Sequence, residues 1–141
     1  MIDKERTNLL HKFLKSVNLN CNINNLNIAL THSSYCNENN LPYELCNERL
    51  EFLGDAVLEL IVSREIYEKC PCEHEGRLTQ IRSLLVDENA NSVNCIALKL
   101  DKALFLGKGE EMTGGRSRKS LLGDAFQAFL GAVYLDGGYD E

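Results

Sequence analysis

Apolar residues along this chain recur at helical spacing, and no stretch alternates as a strand would. Leu9, Leu10, Phe13, Leu14 and Val17 predict a first helix. The Asn-rich run from Asn18 to Asn25 reads as a turn that carries a helix cap. Leu26, Ile28, Ala29 and Leu30 predict a short second helix, and Asn37 to Pro42 a polar loop that the proline ends. From Asn47 to Lys69 there is no proline and one glycine, so a long helix is expected there. Cys70-Pro71-Cys72 stops it. More helix follows from Glu75 to Leu100, in two pieces around Val86-Asp87. Gly107 to Arg118 reads mostly as loop. A last helix runs from Ser120 or Leu121 to Asp136 and is closed by Gly137-Gly138. The predicted fold class is all-α, a helical bundle around a central acidic helix.

On a helical wheel, Glu48, Glu51 and Asp55 of the long helix fall within roughly 60° of one another, and Glu59 continues the line. Leu50, Leu53, Val57, Leu60 and Ile61 occupy the opposite arc. Phe52 and Leu58 flank the acidic stripe, so the helix is apolar on more than one side and reads as central, with its carboxylates facing a cleft or an interface. Like charges stacked on one face cost stability, more so when desolvated, and a stripe bordered by Leu and Phe calls for a cation. An isolated E-x-x-E-x-x-x-D is also what a solvated acidic face looks like.

Composition narrows the setting. The 141 residues fit one compact domain, 1–141. Hydrophobic residues at 44% and charged residues at 26% exclude a disordered chain. A net charge of −6 argues against gripping nucleic acid by charge alone and suits a site that binds cations. The charged N-terminus leads into no apolar segment, and no stretch is long enough to span a bilayer, so a cytoplasmic protein without membrane partners is expected. Its six cysteines are then expected to be free thiols. Cys70, Cys72 and His74 are too few and too awkwardly spaced for a zinc knuckle and read as thiols at a helix end. Gly107-Lys108-Gly109 is not a P-loop.

The last helix supplies a second set of oxygen ligands. Asp124 and Gln127 share a face, and Ala128 and Gly131 lie near that face one turn on, where small side chains admit a second helix. If that helix is the acidic one, oxygens from both converge. Oxygen ligands without His or Cys favour Mg²⁺ or Mn²⁺ over Zn²⁺. Such sites activate water and stabilise the attacking and leaving oxygens of a phosphoryl displacement.

Asn47-Glu48-Arg49-Leu50-Glu51-Phe52-Leu53-Gly54-Asp55 resembles the signature of the ribonuclease III family, which cleaves double-stranded RNA. The resemblance covers nearly the whole chain. It includes Ala29-Leu30-Thr31-His32-Ser33-Ser34-Tyr35 upstream, Glu75-Gly76-Arg77-Leu78, Gly107-Lys108-Gly109-Glu110 with Gly114-Gly115-Arg116, and Asp124-Ala125-Phe126-Gln127-Ala128. It implies a bacterial-type, all-α endonuclease domain working as a symmetric homodimer, with two metal-dependent sites in one valley and no organic cofactor. Each site cuts one strand and leaves a short 3′ overhang. The resemblance makes Glu51, Asp55 and Asp124 metal ligands, has Glu48 and Glu75 line the valley, and sends Phe52 into a socket on the partner subunit. His32 reads as a structural hydrogen-bonding residue.

Two departures from the family pattern matter. Gln127 stands where the family has a glutamate ligand. Its amide oxygen can coordinate but carries no charge, so weaker metal binding and much reduced cleavage are expected, with folding and RNA binding kept. The chain also ends just past this domain, where most bacterial-type relatives continue into a double-stranded-RNA-binding domain. RNA affinity would then rest on the valley and on Lys108, Arg116, Arg118 and Lys119, a basic run that reads equally as a solvated loop. The competing readings are a cleaving enzyme, a catalytically inactive double-stranded-RNA-binding dimer, and a helical bundle with an acidic face and no RNA role.

Overall fold

Polar N-cap side chains cap four of the eight α-helices among the described residues. The computed structural model describes residues 2–140. In helix α1 (Lys4–Val17) the Asp3 carboxylate accepts the Arg6 N–H at 2.7 Å, and Asn18 closes the helix in the left-handed conformation, φ 54°. The Asn-rich turn does supply a cap: Asn22 accepts the N–H groups of Asn24 and Asn25 and starts α2 (Ile23–Ala29) earlier than the apolar spacing predicts. His32 caps α3 (Ser33–Glu38), a helix with no apolar periodicity to announce it. The long helix α4 covers Glu48–Lys69, as expected. Glu48 and Glu51 in its first turn suit the positive end of the helix dipole. The predicted break near Val86-Asp87 separates α5 (Glu75–Leu85) from α6 (Glu88–Ala97), with the Asp87 side chain capping the latter.

The glycine-rich stretch is more ordered than the predicted loop. It holds α7 (Lys108–Met112) and a 3₁₀ turn at Gly115–Ser117, and the last helix, α8 (Lys119–Gly137), follows. Further 3₁₀ turns occupy Tyr43–Leu45 and Leu100–Ala103. Among the described residues the nearest thing to a strand is one parallel bridge between Thr31 and Phe105, so the fold is all-α as predicted. No helix there is long and apolar enough to cross a membrane, and all six cysteines are free thiols.

The core gathers around α8, which buries ten of its residues between α4 on one side and α6 on the other. Leu10, Phe13 and Leu14 of α1, Leu26 and Ala29 of α2, Leu50 and Leu58 of α4 and Cys95 of α6 join it there. Phe13 meets Phe129 edge to face at 5.8 Å between ring centres. The α4–α8 crossing is made backbone to backbone. A Cβ on Gly54 would lie 1.6 Å from the Gln127 carbonyl oxygen, and one on Gly131 would lie 2.4 Å from that of Leu50. Only glycine fits at both positions.

Helix α5 contrasts with α8. It buries no residue, and its main contact is with α4 as an antiparallel hairpin arm, with Arg82 donating to the Ser63 hydroxyl at 3.0 Å. The apolar arc assigned to α4 is therefore only partly internal. Leu50 and Val57 are buried and Leu53 and Ile61 half-buried, whereas Leu60 is exposed to 57%.

Candidate active site

The glycine crossing decides where the carboxylates meet. Because α4 and α8 touch backbone to backbone at Gly54 and Gln127, Asp55 beside Gly54 and Glu51 one turn before it converge with the same face of α8. Gln127 Nε2 donates to Asp55 Oδ1 at 2.9 Å. The Glu51 and Asp124 carboxyls lie close enough that each perturbs the other. Glu48, Glu51, Phe52, Asp55 and Gln127 line an open cleft of about 540 Å³, and Asp124 joins the group through Glu51.

Two carboxylates this close do not both ionise readily in a half-buried place. Burial, the neighbouring Asp124 charge and the contact with it push Glu51 up to about 7, with Glu48 and Asp55 adding to the effect. Burial raises Asp124 as well, while its contact with Glu51 works the other way, so the pair favours holding one proton between them. The four ligand candidates thus stand as two closed pairs. No three Asp, Glu, His or Cys side chains among the described residues are gathered closely enough to hold a metal as they are placed. The donor set itself fits a hard divalent cation. It is all oxygen, and the like-charge repulsion that raises Glu51 is what a bound cation would relieve.

Two residues outside the acidic stripe belong to this neighbourhood. The Tyr43 hydroxyl lies near the Glu48 carboxylate, whose presence raises Tyr43 above its ordinary pKa. His32 lies near Glu110, Asp124, Glu48 and Arg118. Its Nδ1 receives the Ser34 N–H at 3.2 Å and sits 2.7 Å from Ser34 Oγ, while that oxygen accepts the Gly107 N–H at 2.9 Å. The Ser34 hydroxyl therefore points its hydrogen at Nδ1, which leaves the ring proton on Nε2. Burial lowers His32 below its ordinary pKa despite the surrounding carboxylates. The expected hydrogen-bonding role of His32 thus takes the form of a helix cap. Its closeness to the carboxylates was not visible in the spacing of the motif.

The remaining candidates are scattered. Phe52 stands at the cleft with 84% of its surface exposed. Glu75 is exposed at the start of α5, beside the far end of α4. Since Arg82 pairs with Ser63, Glu75 lies more than about 20 Å from Glu51 along the helix axis. One chain does not bring it to its own cleft.

The basic residues also divide. Arg116 is a staple of the loop: it pairs with both Glu111 oxygens and donates to the carbonyls of Asp101 and Leu104. Arg118 pairs with Glu110, and Lys119 donates to Asn89 at 2.9 Å. The Lys108 ammonium makes no hydrogen bond among the described residues, and its side chain is exposed.

The family model described as Ribonuclease-III-like matches residues 22–141. Ribonuclease 3 of Staphylococcus epidermidis is 45% identical over all of this chain and 61% of its own length. That of Oleidesulfovibrio alaskensis is 55% identical over 81% of this chain and 49% of its own. The chain thus spans about half to three-fifths of those curated relatives. Among solved structures, a nuclease domain of ribonuclease III from Campylobacter jejuni, described for flexibility in a region involved in dimer formation, aligns with a TM-score of 0.85. The identity is 35%, over 93% of this chain and 88% of that one. Dicer from Pichia stipitis aligns at 0.55 with 32% identity, over 77% of this chain and 47% of its own. The match of the family model over most of the chain, with relatives and a nuclease-domain structure agreeing, makes this chain a member of the ribonuclease III family.

Proposed function

We propose that this chain is the endonuclease domain of a ribonuclease III, hydrolysing phosphodiester bonds of double-stranded RNA with Mg²⁺ or Mn²⁺. The observation that carries this reading is the convergence of Glu48, Glu51, Asp55 and Gln127 on one cleft at the α4–α8 crossing, with Asp124 beside Glu51. Glu51, Asp55 and Asp124 hold the cation by their carboxylates, and Gln127 offers an amide oxygen. A bound divalent ion supplies water activation near neutral pH and neutralises charge on the attacking and leaving oxygens. A bound cation would be held by the Glu51, Asp55 and Asp124 carboxylates in place of the Glu51–Asp124 proton and the Gln127 N–H on Asp55. Glu48 lines the cleft beside Tyr43, where it would orient the water or the strand to be cut.

The active unit is a homodimer. Phe52, Leu60 and Tyr67 of α4 with Leu84 and Leu85 of α5 leave an apolar face open, which supports a second copy packing there. Glu75 then works in the valley of the dimer, since its own cleft lies out of reach. Two sites on a two-fold axis cut opposite strands and leave short 3′ overhangs. The six free thiols support a reducing, cytoplasmic setting.

One contact favours a second reading, that of a dimer which binds double-stranded RNA without cutting it. Gln127 is a neutral ligand, and its N–H also occupies the Asp55 oxygen that the cation needs. The test is cleavage of a labelled RNA duplex in Mg²⁺ by this chain and by Gln127→Glu. The substitution is expected to raise the rate at least about 100-fold, in line with losses seen when metal surroundings are altered. Equal rates would remove the role given to Gln127, and no cleavage by either version would remove the enzyme reading.

A further inference from the structure

The turn that carries Lys108 is held by two side chains of α3, far away in sequence. Three successive backbone N–H groups are involved. Gly107 donates to Ser34 Oγ at 2.9 Å, Lys108 to Glu38 Oε2 at 2.7 Å, and Gly109 to Glu38 Oε1 at 3.0 Å. The fit is close: a Cβ on Gly107 would fall 2.7 Å from both Glu38 Oε1 and the Ser34 carbonyl. Ser34 is tied in turn to His32, and the His32 N–H bonds to the Phe105 carbonyl at 2.9 Å. The neighbouring Thr31 carbonyl receives the N–H of Asn47, the residue before Glu48, at 2.9 Å. One short segment thus fixes both the start of the acidic helix and the turn at Gly107. Of the four basic candidates on this side, Arg116, Arg118 and Lys119 are engaged with protein groups, and Lys108 is the cation free to meet a phosphate.

We propose that Glu38, with Ser34, is a positioning residue for RNA engagement: it clasps the Gly107–Gly109 turn so that Lys108 is presented to the phosphate backbone. This inference rests on the double-stranded RNA reading above. Its sign separates it from simple electrostatics. Glu38 is an exposed carboxylate beside Lys108, so on charge alone its removal should tighten binding to a polyanion. A clasp predicts the reverse. Glutamine keeps one acceptor oxygen and can hold only one of the two N–H groups, so the turn loosens and the lysine contact is lost.

The test is fluorescence anisotropy of a labelled RNA duplex in EDTA, over a range of salt concentrations, with thermal melts alongside. The parent chain is compared with Glu38→Gln, Glu38→Asp, Lys108→Ala and the double variant. Glu38→Gln is expected to weaken binding about tenfold and to lower the salt slope by about 1, matching Lys108→Ala. The double variant should be no worse than Lys108→Ala alone, because both changes remove one contact. Glu38→Asp should recover part of the affinity, and melting temperatures should stay within about 2 °C of the parent. Binding by Glu38→Gln as tight as the parent's or tighter, or losses that add in the double variant, would overturn the clasp while leaving the RNA reading intact. A parent chain with no affinity for the duplex would overturn both.

Discussion

Helices α8 and α5 both lean on α4, yet they are built for opposite ends. Helix α8 buries ten residues and closes on α4 through glycines, so its packing is complete within one chain. Helix α5 buries none, makes its main contact with α4, and leaves Leu84 exposed to 67%, while Phe52 of α4 is exposed to 84%. The first contact sets side-chain positions to within a few tenths of an ångström, which a catalytic constellation needs. The second has the character of an unfinished interface, since apolar surface in water has a cost that a partner removes. The same helix thus faces the chain's own core on one side and open solvent on the other, with the acidic cleft near the boundary.

The sharpest way to break this contrast is at the crossing. In a helix, Gly→Ala ordinarily stabilises by up to about 1 kcal/mol. Gly54→Ala is expected to do the opposite and destabilise by at least about 3 kcal/mol, because the new methyl would fall 1.6 Å from a main-chain oxygen that cannot swing aside. Gly76→Ala, on α5 with nothing nearby, should be neutral or slightly stabilising. Urea unfolding of the two variants checks this. Comparable midpoints for both would mean that the helices do not cross as tightly as the glycines indicate.

These differences also mark what was readable beforehand. Helices α4 and α8 were legible because they are long, free of proline and ended by Pro71 or Gly137-Gly138, and Gly131 with Ala128 pointed to a close helix contact. The grouping of Glu48, Glu51 and Asp55 follows from helical spacing alone. What stayed hidden depends on contacts between distant residues. Helix α7 forms where the Glu38 carboxylate caps it from 70 or so positions away, and α3 where His32 doubles as a cap. Arg116 looked like an RNA ligand because charge is visible in a sequence; the carbonyls of Asp101 and Leu104 that claim it are not. Glu75 carried a motif but no information on which way α5 would fold back.

A second test concerns the open face. Phe52→Ser with Leu84→Ser should shift the sedimenting species from two chains to one. Unfolding free energy of the isolated chain should change by less than about 1 kcal/mol, because both side chains are already in water. Duplex cleavage in the Gln127→Glu background should fall with dimerisation. A variant that still sediments as a dimer would place the interface elsewhere on the surface.

The smallest expected effect, and the one that speaks most directly to the carboxylates, is a pH dependence. Glu51 is raised from an ordinary carboxylate value to about 7, so its proton binds the folded state more tightly than the unfolded one. The stability this lends is fully present below about pH 4.5 and is lost as pH rises through about 7. Glu51→Gln keeps a hydrogen-bond donor toward Asp124 without the titration. The difference in melting temperature between parent and variant should therefore move against the parent by a few degrees from about pH 4.5 to 7.5 without metal. That corresponds to about 1–2 kcal/mol once partial exposure is allowed for. Adding Mg²⁺ at pH 7.5 should restore the parent and leave the variant behind, because a cation takes the place of the lost proton only where the carboxylate remains. A difference that stays flat with pH would mean that Glu51 and Asp124 do not share a proton. A pH-dependent difference that Mg²⁺ fails to reverse would mean that the pair is a structural contact and that the metal, if bound, sits elsewhere.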